Sequence, residues 1–219
     1  LVGFITGGLA MVTVLACMFF AAISGSGPAT VSAIGSFMIP SMKERKYHGN
    51  FAAAITAAAG TIGVIIPPSI PFVIYCVVAQ CSIGDMFIAG IIPGIIIGLS
   101  LMAVCFYTAK KKGYQASMEP PTLKAVGKAF REAVWALIVP IIILGGIYGG
   151  IFTPTEAAAV SVVYGLFVGI FIYKEIKIKD LWDLMVDSAK TTGGIMLIVA
   201  SASLFSFVCT KFGIAQAAS

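Results

Sequence analysis

The chain has 219 residues, of which 59% are hydrophobic and 11% charged, with a net charge of +5 and a mean hydropathy of +1.04. Soluble domains carry about 25% charged residues, and a soluble core of this length could not hide so much apolar surface. The composition therefore leaves an all-α polytopic membrane protein; barrel-type alternation is absent, and the basic residues sit in loops between apolar runs, which is the positive-inside pattern and no sign of nucleic acid.

Residues 1–42 contain no charged side chain and are interrupted by Ser24-Gly25-Ser26-Gly27-Pro28. At about 1.5 Å per helical residue, the run is roughly twice what crosses a hydrocarbon core of about 30 Å. The expected solution is a re-entrant hairpin, two helical legs joined by a break at membrane depth. Irregular backbone survives there only when it is buried in protein or lines a polar cavity. Gly25 and Gly27 permit unusual backbone angles, and Pro28 suits the first position of a returning helix. The ending leg offers carbonyls which, with the Ser24 and Ser26 hydroxyls, suit a sodium ion; amides at the starting leg suit a carboxylate. The alternative is an ordinary surface loop, which the missing charged flank disfavours.

After the loop Lys43-Glu44-Arg45-Lys46 comes a second uncharged run, residues 49–84. As one straight helix it would be about 50 Å long, too long for a bilayer without large tilt. Gly60-Thr61-Ile62-Gly63 and Pro67-Pro68-Ser69-Ile70-Pro71 predict a break, because interior prolines remove donors and clash with the preceding turn. An unwound segment would expose the carbonyls of residues 60–66 and the hydroxyls of Thr61 and Ser69. Facing the first hairpin, it would complete an oxygen cage for a hard cation; the alternative is a kinked helix with no ligand.

A span over residues 86–109 leads into a basic loop, 110–132, whose Lys110, Lys111, Lys112, Lys124, Lys128 and Arg131 mark it as cytoplasmic. Within it, Pro120-Pro121 precedes an amphipathic piece, 123–133, with Val126, Phe130 and Val134 at helical spacing, expected to lie along the inner interface. Residues 133–149 then go out and 155–173 come back. The mixed-charge segment 174–190 lies inside, and 191–210 goes out again. On this count residues 49–84 run outward, and the opening hairpin enters from the cytoplasm and returns to it.

Glu156 is the only carboxylate in residues 133–173. Intramembrane carboxylates are functional candidates, yet Thr153-Pro154-Thr155-Glu156 also reads as a capping box, and the structural interpretation is preferred. Cys17, Cys76, Cys81, Cys105 and Cys209 show no metal spacing and read as small apolar filler. His48, the sole histidine, sits among loop charges. A weak internal match between residues 24–36 and 153–165 carries no weight, because small residues abound in membrane helices. With no basic signal-peptide start and no evident finish at residues 217–219, the chain is expected to be a piece of a longer protein.

Ser24-Gly25-Ser26-Gly27-Pro28-Ala29-Thr30, followed by Ala33-Ile34-Gly35 and Ile39-Pro40, resembles the large membrane subunit of TRAP (tripartite ATP-independent periplasmic) transporters, the DctM-like family. The likeness continues through Gly60-Thr61-Ile62-Gly63-Val64-Ile65-Ile66-Pro67-Pro68-Ser69-Ile70, Ala89-Gly90-Ile91-Ile92-Pro93-Gly94 and Gly150-Ile151-Phe152-Thr153-Pro154-Thr155-Glu156. It implies an inverted-repeat, elevator-type transporter of the bacterial or archaeal inner membrane that imports organic anions, such as C4-dicarboxylates or sialic acid-like carboxylates, with Na+ as coupling ion. A small four-helix membrane subunit and a periplasmic substrate-binding protein, with which selectivity largely rests, are the implied partners. Residues 1–109 would be transport elements of the first repeat, and 133–219 the first scaffold helices of the second, with the other half of the site beyond Ser219.

On this interpretation Ser24, Gly25, Ser26 and Gly27, with Gly60, Thr61, Gly63 and Ile66, would supply cation ligands. Ser26, Gly27, Pro28, Pro67, Pro68 and Ser69 would border the substrate. The alternatives are another broken-helix sodium/anion symporter, a channel, or a membrane-embedded serine hydrolase. A hydrolase needs a general base within reach of Ser24 or Ser26; the one histidine lies in a loop, so no enzyme is expected.

Overall fold

The computed structural model describes residues 6–114 and 123–213, with backbone only for 123–126; the Pro120-Pro121 pair lies outside them. Among the described residues eight α-helices follow in order: α1 (Gly8–Ser24), α2 (Gly27–Glu44), α3 (Gly49–Gly60), α4 (Ile70–Ala79), α5 (Ile83–Lys112), α6 (Leu123–Tyr148), α7 (Pro154–Phe167) and α8 (Asp180–Lys211). A 3-10 turn, Thr61–Val64, extends α3, and a π turn, Val168–Ile172, extends α7.

The expected hairpin is α1 and α2, and its break is two residues long. Gly25 closes α1 in the left-handed region at φ 61°, where glycine is favoured as a helix terminator, and its amide donates to Ala21 O at 2.9 Å. Ser26 is extended and its Oγ accepts from the Ala29 amide, capping α2. Gly27 opens that helix, so Pro28 takes its second position rather than the first.

Two boundaries differ from expectation. The piece expected to lie along the interface, 123–133, and the span after it are one uninterrupted helix, α6; no glycine–proline break separates them, and Pro140 lies inside the helix without ending it. Likewise α8 starts at Asp180 and absorbs the acidic and basic residues up to Lys190. Local bonds ease this continuity, among them Lys190 to Asp187 at 3.1 Å and Thr191 Oγ1 to Asp187 O at 2.9 Å.

The core surrounds α1. Leu9, Ala10, Val14 and Cys17 pack among Ile34, Met38 and Met42 of α2, Ile55 and Ala59 of α3, and Cys105 and Ala109 of α5. A stripe on α5 brings the second break close: a Cβ on Gly90 would meet Ile65 O and the Phe72 ring, one on Gly94 would meet Ile66, and one on Gly98 would meet Met18. Spacing by four residues puts these glycines on one face, the small-residue arrangement by which membrane helices approach closely. In contrast, α6 and α7 form a hairpin of their own, and α8 buries no residue. Among the described residues, four helical stretches, in α5, α6, α7 with its π turn, and α8, are long and apolar enough to span a membrane. The 17, 12 and 10 residues of α1, α3 and α4 make each shorter than a crossing of about 20 residues.

Candidate functional site

The two breaks meet. The Ile70 amide, first in α4, donates to Gly25 O at 3.1 Å. A Cβ on Gly25 would lie 2.5 Å from Pro68 O, and one on Gly27 would lie 3.2 Å from Gly60 O. Four helix ends therefore converge, the C-termini of α1 and α3 with the N-termini of α2 and α4. Helix C-termini carry partial negative charge and N-termini partial positive charge, so one junction offers surroundings for a cation and for an anion side by side.

Ser24, Gly25, Ser26 and Gly27 form the hairpin side of the junction. The Ser24 hydroxyl lies 3.1 Å from Thr30 Oγ1 and 3.4 Å from Ser26 O. Thr30 is fully buried; its hydroxyl donates to Ser26 O at 2.8 Å, and its amide donates to the same oxygen at 3.0 Å. Gly63 closes the cluster from the other break, since a Cβ there would fall 2.8 Å from Thr30 Oγ1 and 2.9 Å from Ser26 O. Gly60 is buried in the same way, with Val31 against it.

The remaining candidates divide. Ile66 follows the 3-10 turn, its amide donates to Ile62 O at 2.9 Å, and its side chain rests over Gly94. Pro67 is buried, Pro68 half-buried, and the peptide between them is cis. Pro68 turns its carbonyl toward Gly25. Ser69 caps α4: it donates its only hydroxyl proton to Val64 O at 2.8 Å and accepts from the Phe72 amide. Its one hydroxyl proton is thus engaged within the chain. Thr61 is exposed, and its hydroxyl donates to Ala58 O at 2.7 Å. It borders a shallow apolar groove with Gly27, Pro28, Val31 and Val64.

Thr30 was missed among the sequence candidates, although its signal was present: Ser26 and Thr30 are four residues apart at a helix start, one above the other on a single face. The donors gathered at the junction are neutral oxygens, from Ser24, Thr30 and the carbonyls of Gly25 and Ser26. The Gly25 carbonyl accepts one hydrogen bond and keeps a second lone pair, whereas the Ser26 carbonyl already accepts two from Thr30. Among the described residues no cluster of three His, Cys, Asp or Glu side chains is present. Such a set suits a hard monovalent cation, whereas softer metals favour imidazole or thiolate.

Glu156 lies elsewhere. Thr153 N–H and Oγ1 each donate to Glu156 Oε2 at 2.8 Å, and the Glu156 amide donates to Thr153 Oγ1 at 3.3 Å, completing the capping box with Pro154 at the first helical position.

The sequence pattern of one family, described as "Tripartite ATP-independent periplasmic transporter, DctM component", matches residues 1–219. The chain belongs to the DctM family. Among curated relatives, it is 51% identical over 210 residues to the isethionate TRAP transporter permease protein DctMQ of Oleidesulfovibrio alaskensis, covering 96% of this chain and 33% of that protein. To the C4-dicarboxylate TRAP transporter large permease protein DctM of Pseudomonas aeruginosa it is 46% identical, covering 98% and 50%. To the sialic acid TRAP transporter large permease protein SiaM of Vibrio cholerae it is 39% identical, covering 96% and 49%. This DctM-family chain thus spans half or less of the length of these relatives, and it is a multi-pass helical membrane protein.

Proposed function

We propose that this chain forms part of the membrane permease of a sodium-coupled TRAP transporter that imports organic anions. The observation carrying this is the hydrogen bond from the Ile70 amide to Gly25 O, which ties two mid-helix breaks into one junction. Secondary transporters use broken helices in this manner, with helix N-termini toward anionic substrate groups and carbonyls toward coupling ions. Ser24 Oγ, Thr30 Oγ1 and the Gly25 carbonyl would hold Na+ on the hairpin side, with the carbonyls of Gly60, Gly63 and Ile66 facing them. The starts of α2 and α4, at Gly27–Pro28 and after Pro67–Pro68, would face a carboxylate. Sodium would offset the substrate's charge and hold the breaks together while the hairpin domain moves against the scaffold in an elevator stroke. A small four-helix membrane subunit and a periplasmic binding protein would complete the assembly, in keeping with the family's description as tripartite; an organic-anion cargo is in keeping with relatives named for isethionate, C4-dicarboxylate and sialic acid transport.

The test is uptake by the full-length transporter reconstituted with its binding protein, titrated with sodium. Ser26→Ala, which removes a hydroxyl at the junction and the cap of α2, should raise the sodium concentration for half-maximal uptake. Sodium-independent uptake by the unmodified transporter would overturn the coupling.

A further inference from the structure

At the far end of α4 from the junction, two cysteines meet. Gln80 takes the left-handed conformation at φ 55°, and the Cys81 amide reaches back to Cys76 O at 3.1 Å. This six-to-one hydrogen bond is the helix-closing motif in which the residue three before the last helical one and the second residue beyond it bring their side chains into contact. An apolar pair usually fills those places; here both are cysteine. Their sulfurs are 3.1 Å apart, about 1 Å more than a disulfide bond. Cys76 is buried and Cys81 exposed, while Cys17 and Cys105 are sealed in the core.

Charge places this turn outside the cell membrane. The loops rich in lysine and arginine gather at the other end of the bundle, whereas the turn after α4 carries only Asp85 and shares a cavity of about 660 Å³ with Tyr148, Phe152 and Pro154. The periplasm is a compartment where disulfides form and persist.

We propose that Cys76 and Cys81 are a disulfide-forming pair that staples the outer end of α4 to the turn entering α5. The exposed Cys81 thiolate attacks a disulfide-bearing thiol oxidant of the cell envelope, giving a mixed disulfide and releasing one oxidant thiol. Cys76 sulfur then attacks Cys81 Sγ and expels the second oxidant thiolate, which takes up the Cys76 proton. The two cysteines lose two electrons and two protons, and the oxidant disulfide becomes a dithiol. This goes beyond the transport function and depends only on the turn facing outward.

The full-length protein should be alkylated with N-ethylmaleimide in denaturing detergent as the cells are lysed, then digested with chymotrypsin. Cleavage after Tyr75 and Phe87 leaves both cysteines on one peptide. That peptide is expected two hydrogens lighter than its dithiol form and unmodified, gaining two maleimides only after reduction. In Cys81→Ser, Cys76 should be alkylated directly. A native peptide already carrying two maleimides, or a Cys76 still blocked in Cys81→Ser, would overturn the pairing.

Discussion

Thr30 shows how a single hydroxyl separates two roles. It is fully buried, bonded to Ser26 O at 2.8 Å and beside Ser24 Oγ at 3.1 Å. Thr30→Val keeps the shape and removes the oxygen. If that oxygen also binds sodium, the concentration for half-maximal uptake should rise about tenfold, equivalent to roughly 1.4 kcal/mol, with Thr30→Ser near normal. A purely structural hydroxyl would instead lower stability by about 1 kcal/mol and leave the sodium curve in place. Gly25→Ala is a harsher change. Its backbone is at φ 61° and a Cβ would press on Pro68 O, so the contact between breaks should open and uptake should fall at every sodium concentration. The need for Gly25 was legible in the sequence, since glycine between two apolar legs implies a turn. Its partner was not, because only the folded chain sets Pro68 and Ile70 against it.

At the level of elements, the hairpin and the broken helix were legible because length and proline placement dictate them: a bilayer sets how far a helix extends, and consecutive prolines end one. The continuity of α6 and α8 through charged segments was not. Charge marks where water lies, and helices extend into water whenever nothing breaks them. The α7 start is a case where two functions competed for one residue. Thr153→Ala removes the cap and should lower the melting temperature of the purified protein by about 2–4 °C. Glu156→Gln can still complete a capping box, so uptake should be unchanged; uptake lost in Glu156→Gln with stability intact would return the carboxylate to the transport mechanism. The glycine stripe of α5 was present in the sequence too, but four-residue spacing has meaning only once Ile65, Ile66 and Met18 are known to lie across it. Gly94→Leu should therefore displace the second break and impair uptake, even though Gly94 is not at the junction.

Across the whole molecule, loops far apart in sequence sort to two ends in the way their charges demand. The Tyr47 and Tyr114 rings stack at 4.3 Å and the His48 amide donates to Tyr114 OH at 3.1 Å. The loops after α2 and α5 thereby share one end, around a cavity of about 600 Å³ bordered by Arg45, Lys46 and Lys112. The turns after α4 and α6 share the other end. Packing and charge are independent constraints, since tyrosine stacking does not depend on which side of a membrane holds lysine. Their agreement fixes a labelling pattern for the full-length transporter in intact cells. Single cysteines introduced into a Cys-free background should react with an impermeant maleimide at Ile151→Cys, an exposed residue of the outer turn, and at neither Lys112→Cys nor Lys177→Cys until the membrane is opened. Labelling of Lys112→Cys from outside would invert the bundle and put the Cys76–Cys81 turn in the reducing cytoplasm. Labelling of Lys177→Cys together with Ile151→Cys would leave the first six helices in place and show that α7 does not return to the inner side.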